Sequence, residues 1–200
     1  MKASLPTKGG NGAFFRLKKG ILMKTNRSLL KMTLAALFLA LAYVLPFLTG
    51  QIPEIGSMLC PMHIPVLLCG FVCGGSWGLA VGLIAPLFRS LTLGAPVLFP
   101  RAVCMAFELA AYGGIAGLLY KHLPKKKPYI YCALIIAMLV GRVIWGLSMM
   151  ICMGIDGGTF TFAAFIAGAL TNAIPGIIIQ IALIPVVVML LDRGKKSANR

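Results

Sequence analysis

Apolar residues run along this chain in six long blocks, at 28–48, 62–76, 78–92, 101–120, 129–152 and 162–191. A helix crossing the roughly 30 Å hydrocarbon core of a bilayer needs about 20 mostly apolar residues, and each block predicts such a helix. The second and third blocks are short and split by GGSWG, which predicts tilted or partly buried crossings. The sixth is long enough to overshoot the bilayer, and Pro175 and Pro185 are its expected kinks. Six crossings put both chain ends on one side. The expected fold is an all-α integral membrane protein, a six-transmembrane-helix bundle with both termini cytoplasmic.

The segments outside the blocks are polar. Residues 1–27 are basic and glycine-rich with no amphipathic period, and read as a disordered cytoplasmic arm; residues 192–200 read as a basic cytoplasmic tail. Met23 opens MKTNRSLLKM, which has the look of a start, so residues 1–22 read as an over-extended beginning. The first apolar block lacks a small-x-small cleavage site and continues into further spans, so it is read as a membrane helix and not a removable signal peptide.

Composition supports a lipid environment. The chain is 60% hydrophobic and 12% charged, with a mean hydropathy of +0.95, whereas soluble domains carry about a quarter charged residues. The net charge of +15 raises the question of nucleic acid, but its distribution answers it. Eight basic residues precede residue 32, four lie in 121–127 and four follow residue 191. The connections 49–61, 93–100 and 153–161, which the topology turns outward, contain no Lys or Arg. This is the positive-inside pattern of a membrane protein and not a nucleic-acid footprint. The six cysteines form no CxxC pair, and no metal or cofactor site is expected. Cys60 and Cys152 both fall near the outer surface, where a disulfide is open to them.

Charge inside the apolar blocks is where chemistry enters. The stretch IAPLFRSLTLGAPVLFPRAVCMAFELA, residues 84–110, holds Arg89, Arg101 and Glu108. A charge in hydrocarbon costs about 2.5–3.5 kcal/mol on insertion scales, so it normally faces the bundle interior with a partner. By helical rise, Arg142 and Asn172 each lie roughly 15 Å below the outer surface, and His63 opens the second block. The inner half offers only Gln180. Polar groups confined to the outer half describe a cavity open to the outside, whereas a channel needs polar lining on both sides of the midplane.

Each of these residues carries two readings. Glu108 and Arg142 either pair as a structural bridge or line a ligand site. Arg101 either reaches to outer headgroups or meets ligand, and His63 is either a helix-end residue or a ligand contact. Arg89 has no acid near it in sequence and reads as a contact for an anionic ligand. Asn172 binds substrate or bonds a neighbouring helix. The glycine- and proline-rich outer connections could fold over the cavity as lids. Met58, Met62, Phe99, Trp145 and Phe160 could wall it, or serve as interface anchors.

MTLAALFLALAYVLPF, CPMHIPVLLCGFVCG and FTFAAFIAGALTNAIPGIIIQIALIPVVVMLL, together with the six-span layout over residues 28–191, resemble the substrate-binding S component of energy-coupling factor (ECF) vitamin transporters. That family carries an Ala-x-x-x-Ala pattern in its first helix for packing against the transmembrane coupling subunit, and Ala36 and Ala40 match it. The spacing alone is weak, since Gly78/Gly82 and Gly113/Gly117 share it. The resemblance implies a subunit of the bacterial cytoplasmic membrane that captures a vitamin from outside, docks on the coupling subunit, and rotates to release it inside. Two ATP-binding cassette ATPases would supply energy, and this chain has no GxxxxGK[ST] phosphate loop of its own. The candidate substrate-binding residues, chosen above by polarity and depth, are Arg89, Arg101, Glu108, Arg142, Asn172, His63 and Trp145. Three arginines favour a small anionic ligand. The same segments resemble pantothenate- and riboflavin-type members of the family, which implies a pantothenate-like vitamin first and a riboflavin-type next, with folate, niacin or a cobalamin precursor open. The rival readings are a small membrane enzyme or a stand-alone secondary transporter built on the Glu108/Arg142/His63 cluster. Turnover without nucleotide or partner, or flux through the isolated chain, would distinguish them.

Overall fold

A computed structural model describes residues 28–49, 60–124, 127–155, 161–168 and 174–198. The expected arm at 1–27, most of the first connection and Asn172 lie outside the described residues. The first helix, α1, spans Ser28–Phe47 and tightens at its end into a 3-10 turn over Leu45–Thr49. Then come α2 (His63–Cys73), α3 (Gly75–Leu93), α4 (Val103–His122) and α5 (Lys127–Ile155). A short helix α6 (Phe162–Ile166) precedes α7 (Ile174–Ala198), and no strand occurs among the described residues. Five helices are long and apolar enough to cross a membrane, while α2 is apolar but has 11 residues.

Two expected elements take a different form. The break between the second and third blocks is a single residue, Gly74, at φ 103. A side chain is strained there, and glycine is not. Its N–H caps Gly70 O at 3.1 Å, and the expected linker residues GSWG form the first turn of α3. At about 1.5 Å per residue, α2 is some 16 Å long, half the hydrocarbon core. The sixth block, expected as one helix over 162–191, is helical at Phe162–Ile166 and again at Ile174–Ala198. Helix α7 therefore runs well into the expected tail.

Helix α4 is the axis of the bundle, packed by α3, α5 and α2. Of its span, Leu98–His122, 61% is buried, against 17% for α1. The α2–α3–α4 contact is made by backbone. A Cβ on Gly78 or Gly70 would strike Gly113, and one on Gly82 would strike Leu109 and Ala110. Small residues at this spacing let helices approach closely without a hydrophobic driving force in lipid. On α5, Gly141 leaves room for the Tyr112 ring, and Ala133 and Ala137 continue the small face. One buried cluster joins Leu67 and Phe71 of α2, Tyr112 of α4, Leu134 and Met138 of α5, and Ile184 and Val188 of α7. A second seats Ala35, Phe38 and Ala42 of α1 against α2 and α3. Large apolar side chains such as Leu37, Phe88, Leu139 and Ile178 point outward. That surface suits lipid and not water.

Two ends of the bundle can be told apart. One carries Lys121, His122 and Lys127 at the ends of α4 and α5. There the Tyr120 hydroxyl donates to Asp192 Oδ2, joining α4 to α7, and Tyr120 meets Phe71 of α2 edge-on, ring centroids 5.3 Å apart. The opposite end carries Cys60, His63, Arg89 and Arg101.

A buried ionic cluster

The cluster forms where α2, α4 and α5 meet. Cys60 sits at φ 46, a left-handed conformation that costs a non-glycine residue roughly 1–2 kcal/mol. The bend lets Cys60 O accept from His63 N–H at 3.0 Å, and α2 starts at once. Both Cys60 and His63 thereby face the same interior. Backbone strain of this kind concentrates at sites where position matters.

Glu108, on the buried axis of α4, is 1% exposed. Its Oε1 lies 3.0 Å from Arg142 Nη1 of α5 and accepts a 3.0 Å hydrogen bond from the Tyr112 hydroxyl one turn along α4. His63 Nε2 lies 3.6 Å away, beyond hydrogen-bond length. Arg142 Nη2 points to Cys60 Sγ at 3.9 Å, and the His63 and Tyr112 rings are 5.3 Å apart. The expected pairing of Glu108 with Arg142 is therefore present, within a five-residue group. Cys60 and Cys152 are not joined, so the disulfide left open by the sequence is not formed.

The cluster has hydrogen-bonding capacity left over. His63, 2% exposed, has neither ring nitrogen hydrogen-bonded among the described residues, and the same is true of Arg142 Nε. Buried polar groups are nearly always satisfied, and these atoms have no such partner among the described residues.

The other candidate residues sort by position. Trp145, one turn from Arg142 on α5, stacks on Phe165 of α6 with centroids 6.4 Å apart and planes at 26°. Glycines admit the rings, since a Cβ on Gly146 would meet Phe165 and one on Gly168 would meet Trp145. Arg89 is engaged with α1: Nη1 donates to Tyr43 O at 2.9 Å, and the guanidinium lies 5.2 Å over the Phe47 ring. Since Gly82 abuts Leu109, the seven residues from Gly82 to Arg89 set Arg89 about 10 Å from the Glu108 level, away from the lysine end. Arg101 is exposed in the wide turn Leu98–Ala102. On α1, Ala36 and Ala40 are exposed while Ala35, Phe38 and Ala42 pack inward.

Sequence reasoning did not select Tyr112 or Cys60 for the site. Tyr112 had a signal, being four residues from Glu108 on one helix face. Cys60 had none, because its approach to Arg142 depends on the left-handed bend.

No curated protein and no solved structure matches this chain. A family model described as the substrate-specific component of ECF transporters matches residues 30–188, nearly all of the described bundle and every element of the cluster, so the chain belongs to that family.

Proposed function

We propose that this substrate-specific component captures a small anionic vitamin from the outer face of a bacterial cytoplasmic membrane, pantothenate-like in preference to riboflavin-type. The observation that carries the reading is the cluster around Glu108. One carboxylate and one guanidinium cancel each other 3.0 Å apart, while His63 and Arg142 Nε keep unused hydrogen-bonding capacity in an otherwise apolar bundle. Paired charges make the layer tolerable in lipid, and the unused groups supply recognition. Arg101, exposed at the same end, meets the ligand's anion as it enters, because guanidinium binds carboxylate bidentately. Arg89 seats the outer end of α1 at the mouth, Trp145 walls the pocket, and Asn172 completes it.

The positive-inside rule supports a cytoplasmic lysine end. With α2 counted as a shortened crossing and α6 with α7 as the sixth, both termini are cytoplasmic, the arm at 1–27 included. Ala36 and Ala40, exposed together on α1, serve as the docking stripe for a transmembrane coupling subunit, itself driven by two ATP-binding cassette ATPases.

Mass spectrometry of small molecules released from the purified protein tests the proposal. One vitamin at near one-to-one stoichiometry is expected. An empty protein that also fails to bind pantothenate and riboflavin would overturn it.

A further inference from the structure

Gln180, like His63, is a buried polar side chain with no hydrogen-bond partner among the described residues. It is 1% exposed, and neither its Nε2 nor its Oε1 has a hydrogen-bond partner among the described residues. The sequence set it in the inner half, apart from the other polar groups. The register of α4 and α7 moves it.

One side-chain bond joins the two helices, and one buried cluster holds residues of both. Tyr120 of α4 bonds Asp192 of α7. Eight residues back along each helix, Tyr112 and Ile184 share one buried cluster. Four further residues back, the same step reaches Glu108 on α4 and Gln180 on α7. By helical rise alone, each lies about 18 Å along its own helix from the Tyr120–Asp192 bond. Gln180 also lies on the inward face of α7, one turn from Ile184 and two from Val188, both buried in that cluster with Leu67 and Ile64 of α2 and Met138 of α5. Helix α7 packs on α2 and α5, the helices that carry His63 and Arg142.

We propose that Gln180 and His63 form the uncharged half of the ligand site, facing the Glu108–Arg142 pair across the same layer, and that they select a ligand carrying an amide, imide or paired hydroxyls in addition to any anion. This rests on the capture role proposed above and narrows it. The reason is chemical. A carboxamide presents one acceptor and two donors, and a neutral imidazole one of each. Together they match a group that both gives and takes hydrogen bonds. A bare carboxylate, which only accepts, would leave Gln180 Oε1 unmet.

The test pairs Gln180→Leu with His63→Phe in the full-length purified protein, and reads both thermal melting without ligand and equilibrium binding of radiolabelled pantothenate and riboflavin. Gln180→Leu removes a buried amide with no partner, so the ligand-free protein should melt no lower than wild type, and higher if the pocket is dry. Binding of whichever vitamin the wild type takes should weaken roughly 10- to 100-fold in each variant. Hexanoate, an anion lacking the donor–acceptor group, should not compete at a hundredfold excess. A lower melting temperature for Gln180→Leu would show an internal partner and overturn the inference, as would undiminished binding or competition by hexanoate. If wild type binds neither vitamin and releases no small molecule, the capture role itself falls and the inference with it. Normal wild-type binding with an indifferent Gln180→Leu overturns the inference alone.

Discussion

Removing the Glu108 carboxylate strands a guanidinium inside the bundle. Breaking a buried ion pair at one partner costs about 3–5 kcal/mol, whereas replacing both partners with apolar residues of similar size is often neutral. Glu108→Leu is therefore expected to lower the melting temperature sharply. Adding Arg142→Met should recover most of that stability while ligand binding stays lost. Melting curves and binding isotherms on the two variants separate architecture from recognition: full binding by the double variant would leave the pair a structural role only. Arg89 belongs to the same scale. Its bond to Tyr43 O and its place over Phe47 hold the end of α1 against α3. Arg89→Ala is expected to abolish capture with the chain still assembling, and to speed hydrogen exchange over residues 43–47. Unchanged binding would remove Arg89 from the site. The pairing of Glu108 with Arg142 was legible in the sequence, because opposite charges in apolar blocks must find each other. His63 was grouped with them from its place at the start of the second block, whereas the approach of Cys60 to Arg142 depends on one left-handed residue that no local pattern announces.

Helices here are held by what their glycines lack. Gly113 and Gly114 are neighbours on α4 with opposite duties. A Cβ on Gly113 would collide with Gly78, whereas one on Gly114 would meet the Leu79 side chain at 3.5 Å, an ordinary contact. Gly113→Ala should prevent α3 from seating and drop the yield of monodisperse protein on size exclusion, while Gly114→Ala should behave as wild type. Equal behaviour of the two would mean that α3 and α4 do not touch through backbone. The blocks of apolar sequence located these helices well: expected 101–120 and observed Val103–His122 differ by two residues at each end. Their depths were less legible. Counting inward from the start of an assumed continuous sixth helix put Gln180 below the polar layer. The side-chain bond between Tyr120 and Asp192, a tertiary fact, is what suggests the shared level with Glu108 on which the inference above rests. Sequence spacing measures distance along one helix and says nothing of how two helices slide.

The molecule as a whole presents two surfaces on α1, one packed and one open. Ala35, Phe38 and Ala42 face the bundle, and Ala36 and Ala40 face away from it. Replacing Ala36 and Ala40 by Leu should leave vitamin binding intact and block energised uptake in vesicles holding the full transporter. Uptake that survives would move the docking face elsewhere. Meanwhile the buried layer has an electrical consequence. Glu108 and Arg142 sum to zero, and His63 and Gln180 add nothing when the imidazole is neutral. Each unpaired elementary charge carried across a membrane potential costs or gains about 2.3 kcal/mol per 100 mV. The Glu108–Arg142 layer can therefore move in that field with almost no electrical work, whereas buried Arg89, held by a carbonyl and a ring, keeps its charge. The voltage would then act on Arg89 and on any charged cargo, and not on the layer that holds Glu108 and Arg142.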